Sequence, residues 1–531
     1  MNKNFKYAIF APLLIAGGVI VGLLIALWGL GGRRIALSGQ TDKISYTMSL
    51  IENFYVDPIT PDSLAEVAIP VILDKLDPHS VYIPARDLLA VNEPLTGEFD
   101  GIGVMFNMLT DTIVVLNVIP SGPSDKAGVQ NGDRIIKIND SLVAGQKLPQ
   151  EGIVKRLRGV RGTTVLLGIE RQGSPELVPI TVTRGTIPLK SIDAAFMLTP
   201  TVGFVKLSTF ARNSYSELIK ALSELQNEGM TRLVFDLRDN TGGFLDQAIG
   251  IANLFLPQGD LIVYTEDRNH QQIKEYADGN GAFTTVPLAV LIDEGSASSS
   301  EILAGALQDN DRATIIGRRS FGKGLVQREI AYPDGSALRL TIARYYTPSG
   351  RSIQKPYDHG TSEYRRDIID RYLGDEMFVA DSMKHDTLRY FTKGGRVVYG
   401  GGGIMPDVFV PLDTVGVTPY YQAVNGRNLI YKYTLEFGDR HREQMNAIST
   451  VAQLNKMLDG YPHLVDDFVA YAARSGVKPD WGQIAISRPI LAAQLRALVG
   501  RNTALDYTGF YAEIYVIDNV MLKAIETLTK E

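Results

Sequence analysis

The sequence predicts an α+β multidomain chain: an N-terminal transmembrane helix, a β-rich domain, an α/β core and a helical C-terminal extension. Three patterns predict it. Residues Tyr7 to Gly32 carry no charge. Strand-like segments dominate from Leu88 to Arg184, and after Ile187 strands alternate with helices, the signature of a mainly parallel sheet covered by helices. Beyond Val415 the apolar periodicity is helical almost to the end.

The chain has 531 residues, enough for several domains and a large core. With 45% apolar and 21% charged residues it is ordinary globular protein. A net charge of −6 argues against nucleic acid as a partner. The absence of cysteine excludes a thiol nucleophile, disulfides and thiolate metal sites, without fixing the compartment. No His-Glu-x-x-His or other metal spacing occurs, so neither metal nor cofactor is expected.

Taken in order, residues 1–34 read as an uncleaved membrane anchor. The 26 residues from Tyr7 to Gly32 make a helix of about 39 Å, against a hydrocarbon core of roughly 30 Å. Signal-peptide apolar regions are shorter, usually about 7–15 residues. Lys3 and Lys6 are matched by Arg33 and Arg34, so charge leaves the orientation unset.

Residues 40–87 are helical in pattern, with Ile44, Met48, Ile51 and Tyr55 on one face, and end in Leu76-Asp77-Pro78-His79-Ser80. Residues 88–185 form the β-rich domain, with a glycine-bracketed loop, Gly101-Ile102-Gly103-Val104, entering a strand. Residues 187–412 form the α/β core. Its expected elements are strands at Val202–Thr209, Leu233–Leu237 and Leu288–Ile292, with helices at Phe244–Leu256 and Ser298–Gln308. Ser214 with Glu217 is read as a capping box for another helix, to about Glu228. Tyr357 to Gly394 is polar and carries no clear element, and 415–531 is the helical extension.

The chemistry concentrates in Gly295-Ser296-Ala297-Ser298-Ser299-Ser300-Glu301, a hydroxyl-rich turn between a buried strand and a helix. Such a turn exposes a hydroxyl and aims N–H groups and a helix N-terminus at developing negative charge. Ser296, Ser298 and Ser299 all lie at or near the turn, with Ser300 inside the helix, and the pattern alone does not choose among them. Serine needs a base, and Lys323, between Gly322 and Gly324, becomes one if desolvation lowers its pKa. A third stretch, Asp236-Leu237-Arg238-Asp239-Asn240-Thr241-Gly242-Gly243, offers backbone N–H groups for a carbonyl oxygen. All three fall at the ends of neighbouring strands, where open α/β sheets place their sites.

Together these stretches resemble the carboxyl-terminal processing peptidases, Ser–Lys proteases with an embedded PDZ domain and a crotonase-like core. The resemblance covers roughly residues 40–412 and includes Thr347-Pro348-Ser349-Gly350-Arg351-Ser352-Ile353-Gln354 and Gly403-Ile404-Met405-Pro406-Asp407. It implies Ser298 as nucleophile, Lys323 as general base, Gln327 as the group orienting the amine, and the N–H groups of Gly242 and Ser299 as the oxyanion hole. Ser299 stands where the family often has alanine, and Thr241 where it has proline. Gly101, Ile102, Gly103 and Val104 fit a PDZ carboxylate-binding loop, with the next strand open to β-augmentation by a substrate tail. The implied partners are protein substrates bound by their C-terminal tails and a membrane held by the N-terminal helix, with a homo-oligomer left open. The implied location is the inner membrane, with the catalytic part in a periplasm. A PDZ scaffold with an inactive core, or a non-peptidase enzyme using the glycine hole for a thioester or enolate, are the rival expectations.

Overall fold

A computed structural model describes residues 42–108, 111–171, 173–380 and 388–530. The expected anchor lies outside the described residues, and among these no helix is long and apolar enough to cross a membrane. The chain divides into two units between Ile72 and Leu73. In the first, helix α1 (Lys43–Phe54) starts at Asp42, whose carboxylate accepts the Ile44 N–H at 3.1 Å. Helix α2 (Pro61–Leu73) opens on a proline, which suits a first helical position.

In the second unit, the Leu76–Ser80 turn leads to β1 (Val81–Ile83) and α3 (Ala85–Thr96). Gly97 ends α3 with φ 77°, a left-handed C-cap that glycine adopts without strain. A β-domain follows: β2 (Glu98–Gly101), β3 (Val104–Asn107), β4 (Ile113–Val118), α4 (Pro123–Ala127), β5 (Arg134–Ile138), β6 (Ser141–Leu142), α5 (Gln150–Leu157), β7 (Thr164–Glu170), β8 (Val178–Thr183) and β9 (Gly185–Pro188). Its sheet runs β3-β4-β5-β7-β8, so β3 is an edge strand, while β2 pairs with β9 at the domain's neck. Alternate residues Val165, Leu167 and Ile169 of β7 point into a core shared with Ile153 and Leu157 of α5.

The core comprises β10 (Ile192–Met197), β11 (Val202–Leu207), α6 (Ser214–Asn227), β12 (Arg232–Asp236), α7 (Leu245–Asn253), β13 (Leu261–Asp267), β14 (Gln272–Tyr276), β15 (Leu288–Ile292), α8 (Ser299–Asp309), β16 (Thr314–Gly317), β17 (Leu325–Ala331), β18 (Ala337–Tyr346), α9 (Thr361–Leu373), β19 (Arg389–Phe391), β20 (Val397–Tyr399) and β21 (Val408–Phe409). One sheet, β10-β11-β12-β15-β16-β21, is parallel except for its β10–β11 pair. A second, antiparallel sheet is built around the ten-residue strand β18, which pairs with β1, β13 and β17.

Strands β11, β12 and β15 are apolar without alternation because both faces are covered. On one face Leu207, Phe235 and Val290 pack with Leu222 of α6, Ile251 of α7 and Leu303 of α8. The cover of the other face comes from the far end of the chain. After β21 the helices α10 (Pro419–Gly426), α11 (Leu429–Arg440), α12 (Arg442–Asn446), α13 (Val451–Asp459), α14 (Leu464–Arg474) and α15 (Trp481–Arg501) build a bundle. Tyr433, Phe468, Leu491 and Leu495 lie at its centre. Helices α16 (Tyr507–Ile514) and α17 (Asn519–Lys530) then return, placing Ala512, Met521, Ala524 and Leu528 against Phe204, Val234, Leu291 and Ile316. The last 25 or so residues are therefore a layer of the core rather than part of an appendage.

Two local expectations are corrected. Ser214 and Glu217 form no capping box: Ser214 is buried inside α6 and donates to Thr209 O. Glu217 instead accepts the Ser191 N–H at 2.7 Å, because that strand-start donor is buried beside it. The polar stretch after Tyr357 contains α9, whose Tyr364 and Arg371 are buried although its overall polarity hid the helix.

Candidate active site

The site is built where β15 ends. This strand is buried throughout and runs into the Asp293–Ala297 turn. Three of the four serine hydroxyls there are spent on main-chain carbonyls: Ser296 donates to Leu237 O (2.8 Å), Ser299 to Gly243 O (2.9 Å) and Ser300 to Asn240 O (2.7 Å). Ser298 is half-buried, and its hydroxyl donates to none of the described groups. Its backbone sits at φ 57°, ψ −114°, a strained conformation for a residue with a Cβ.

Glu301 holds that strain in place. Completely buried one turn into α8, its carboxylate accepts four donors: Ser298 N–H (2.9 Å), Lys323 N–H (2.9 Å), Gly322 N–H (2.7 Å) and Ser320 Oγ (2.5 Å). Burial pushes its pKa up, and the same four donors pull it back. The Tyr345 hydroxyl, on β18, lies 3.1 Å from Ser298 O and 2.6 Å from Lys323 O. The serine turn and the lysine loop are thus clamped side by side by one carboxylate and one phenol. Nothing in the local spacing distinguishes this role of Glu301 from that of an ordinary helix glutamate. Tyr345 gave no signal at all, because only the strand pairing brings it here.

Lys323 is half-buried, and its pKa is lowered, chiefly by burial and then by the charge of Arg339. Its Nζ donates to Gln327 Oε1 at 3.1 Å, and no hydrogen bond joins it to Ser298 Oγ. Gln327 is itself anchored, its amide nitrogen donating to His79 O. That contact explains the Leu76–Ser80 motif. The Asp77 carboxylate accepts His79 N–H (2.8 Å), Ser80 N–H (2.8 Å) and Ser80 Oγ (2.6 Å), an Asx turn that presents His79 O to the lysine's partner. The His79 ring bonds Tyr364 Oη at 2.7 Å, and burial, then Lys323, lowers its pKa to about 4. It is neutral at physiological pH.

The glycine loop after β12 faces the serine. A Cβ on Gly242, at φ 101°, would lie 2.8 Å from Ser298 Cβ and 2.9 Å from Ser299 N, so only glycine fits. Its expected role as an oxyanion donor meets a competitor, since the Gly242 N–H is donated to Asn240 Oδ1 at 2.9 Å. Asn240 is buried with its Nδ2 on Leu207 O, which turns the side-chain oxygen onto the residue two ahead. The Ser299 N–H donates to none of the described residues. The structure therefore gathers Ser298, Lys323, Gln327, Gly242 and Ser299 at one place. Gly101, Ile102, Gly103 and Val104 lie apart from them in the β-domain, where the Ile102 and Gly103 N–H groups have no acceptor among the described residues. They stand at the head of the free edge of β3. Among the described residues no cluster of metal-ligating side chains occurs.

A strained serine between a buried strand and a helix, with a desolvated lysine on the neighbouring loop and a separate β-domain, is the arrangement of a serine-type peptidase. Residues 201–361 match Peptidase family S41 and residues 101–182 match the PDZ domain. Residues 420–504 match a family of unknown function. The carboxy-terminal-processing protease of Bartonella bacilliformis is 37% identical over 68% of this chain and 81% of that protein. The carboxy-terminal processing protease CtpB of Bacillus subtilis is 34% identical over 67% and 76%. A solved photosystem II D1 C-terminal processing protease is 25% identical, covers 70% of this chain and 87% of its own, and has a TM-score of 0.37. The chain belongs to peptidase family S41, as a PDZ-containing carboxy-terminal processing protease.

Proposed function

We propose that this protein cleaves protein substrates at or near their C-termini by a Ser–Lys acyl-enzyme mechanism. The neutral Lys323 amine takes the Ser298 proton as Oγ attacks the scissile carbonyl carbon. The resulting oxyanion is held by the Ser299 N–H and by the Gly242 N–H, released from Asn240. Protonated Lys323 then delivers its proton to the leaving amine. Water, deprotonated by the same lysine, attacks the ester carbonyl carbon, and as the C–Oγ bond breaks the lysine returns that proton to Ser298 Oγ. Gln327, fixed to His79 O, keeps the amine directed at the serine. No step calls for a metal or cofactor. The observation that carries this reading is that Ser298 alone of its turn has a hydroxyl whose proton goes to none of the described groups, in a turn clamped beside Lys323 by Glu301 and Tyr345.

Ser298→Ala and Lys323→Ala should each abolish casein degradation with the circular dichroism spectrum unchanged. A Lys323→Ala chain with near-full activity at neutral pH would remove the dyad. A second reading, a PDZ scaffold with an inactive core, draws on the Gly242 N–H being occupied and on the missing Ser298–Lys323 hydrogen bond. Turnover of casein by the wild-type chain rules it out; no turnover supports it.

The PDZ domain, on this proposal, captures the substrate's terminal carboxylate in the loop 101–104 while the tail pairs with β3. Residues 7–32 anchor the protein in the inner membrane with its catalytic part in the periplasm. Membrane fractionation and digestion of intact spheroplasts by an added protease test that arrangement.

A further inference from the structure

The oxyanion loop begins in a buried cluster of charges at the end of β12. Asp236, at the end of β12, has no exposed surface. Its carboxylate accepts Arg238 Nη2 at 2.7 Å, Arg238 Nε at 3.1 Å and the Arg238 N–H at 2.9 Å. Lys206 Nζ lies 3.3 Å from the same carboxylate and also donates to Arg238 O. Two cations converge on this carboxylate, their side chains only 6% exposed for Lys206 and 16% for Arg238, with Asp193 close enough to act on Lys206 and Asp293 on Arg238. A lone excess charge in such a place is costly unless it is paired.

The pairing comes from the far end of the chain. Asp518 lies between α16 and α17, and its Oδ1 sits 3.1 Å from Arg238 Nη1 and its Oδ2 2.8 Å from Nη2. The fork-to-carboxylate geometry is bidentate, the strong and directional form of this pair. The same Asp518 Oδ1 accepts the Val520 and Met521 N–H groups at 3.0 and 3.1 Å, capping α17. Helix α17 is fastened beneath β12, β15 and β16 by Met521, Ala524 and Leu528. Asp518 is therefore held from below and holds Arg238 from the side.

Arg238 opens the loop that faces the nucleophile. Its neighbour Asp239 takes a left-handed φ of 57° and donates its N–H to Asp293 Oδ1 at 2.9 Å. Asn240 O accepts Ala297 N–H (2.9 Å) and Ser300 Oγ (2.7 Å), joining this loop to the serine turn. Three residues separate Arg238 from Gly242, which lies so close to the serine turn that an added Cβ would sit 2.8 Å from Ser298 Cβ.

We propose that Asp518 is a positioning residue of the peptidase: by pairing with Arg238 it fixes the loop 239–243 that cradles the oxyanion. The inference rests on the proposed nucleophile, Ser298, and on the role given to this loop. It predicts an effect on transition-state stabilisation rather than on substrate capture, because Asp518 touches no part of the peptide path described above.

The test uses the full chain with fluorescently labelled casein. Asp518→Asn keeps a helix-capping side chain and so keeps α17 folded, while removing the charge. It should lower kcat on the order of tenfold, as loss of an outer orienting partner commonly does, with KM within about twofold of wild type. Affinity for a peptide boronate that mimics the tetrahedral intermediate should weaken by the same factor. Asp518→Glu should restore most of the rate. Wild-type kcat in Asp518→Asn overturns the proposal. So does a loss of activity that follows a falling melting temperature and is not recovered by glutamate. Ser298→Ala assayed alongside keeps the two readings apart: residual turnover there removes the nucleophile itself, whereas a silent Asp518→Asn removes only the positioning role.

Discussion

One carboxylate, that of Glu301, receives the N–H of Ser298, the N–H of Lys323 and two further donors in the lysine loop. Glu301→Gln replaces one acceptor oxygen with an amide that points hydrogens at N–H groups. A buried donor left unpaired costs about 1–3 kcal/mol, so kcat should fall about tenfold to a hundredfold. Steady-state kinetics on a chain shown to be folded checks this. The lysine sets the pH response. Its pKa is lowered by burial, so the neutral amine appears at lower pH than for a free lysine near 10.4. The base must be unprotonated, and kcat/KM should therefore rise with pH and level off above the folded pKa. His79, at about 4, is already neutral across that range, whereas two buried acids beside the turn are raised, Asp293 to about 6 by burial and then by Asp239, and Glu301 by burial. A rise that survives in both Asp293→Asn and Glu301→Gln belongs to Lys323. A profile flat from pH 5 to 10, with chemistry rate-limiting, contradicts a lysine base.

At the scale of elements, β17 and β18 carry the lysine's partner and lock it to the Leu76–Ser80 turn. Gln327 is paired with Thr341, whose Oγ1 donates to Asp77 Oδ1 at 3.1 Å and whose N–H donates to Ser80 Oγ at 3.1 Å. The turn, the strand register and the amine's orientation are one hydrogen-bonded unit. Within the PDZ domain, β3 offers an unpaired edge with the N–H groups of Ile102 and Gly103 at its start. A peptide with a free, apolar C-terminus should bind the full Ser298→Ala chain, and its amidated form should bind about tenfold more weakly or worse. Amidation removes a charge-assisted hydrogen bond worth roughly 1.5–3 kcal/mol. Equal affinities by calorimetry would leave the domain as a structural insert.

For the molecule as a whole, the unexpected feature is the return of the chain's end to the middle sheet. Met521 is fully buried between α17 and the strands, so Met521→Ala should cost about 2–5 kcal/mol in the peptidase domain. Differential scanning calorimetry should show that domain's transition moving down. The transition of the α10–α15 bundle, which has its own core, should stay within a degree or two. A chain ending at residue 504 should fail to fold its peptidase domain, because Phe204, Val234, Leu291 and Ile316 would face water.

What the sequence determined by itself was local. Continuous apolar runs such as Leu288–Ile292 mark buried parallel strands, the serine turn and the glycine loop mark strand ends, and glycines at Gly242 and Gly322 mark close approaches. Periodicity and turn chemistry act over a few residues, which is why the strands, most helices and the residues gathered at the site were legible. Helix α9 was not, because its buried Tyr364 and Arg371 are polar in composition. Only the tertiary structure decided which of four serine hydroxyls is left without an acceptor for its proton, since that depends on carbonyls of residues 237, 240 and 243, more than fifty positions away. It alone placed Tyr345 across the serine turn and the lysine loop, turned Asn240 onto Gly242, and brought Asp518 to Arg238 across 280 residues. Contacts of that separation leave no periodic trace in a single chain: they are set by which faces of the sheet remain to be covered once the local elements have formed.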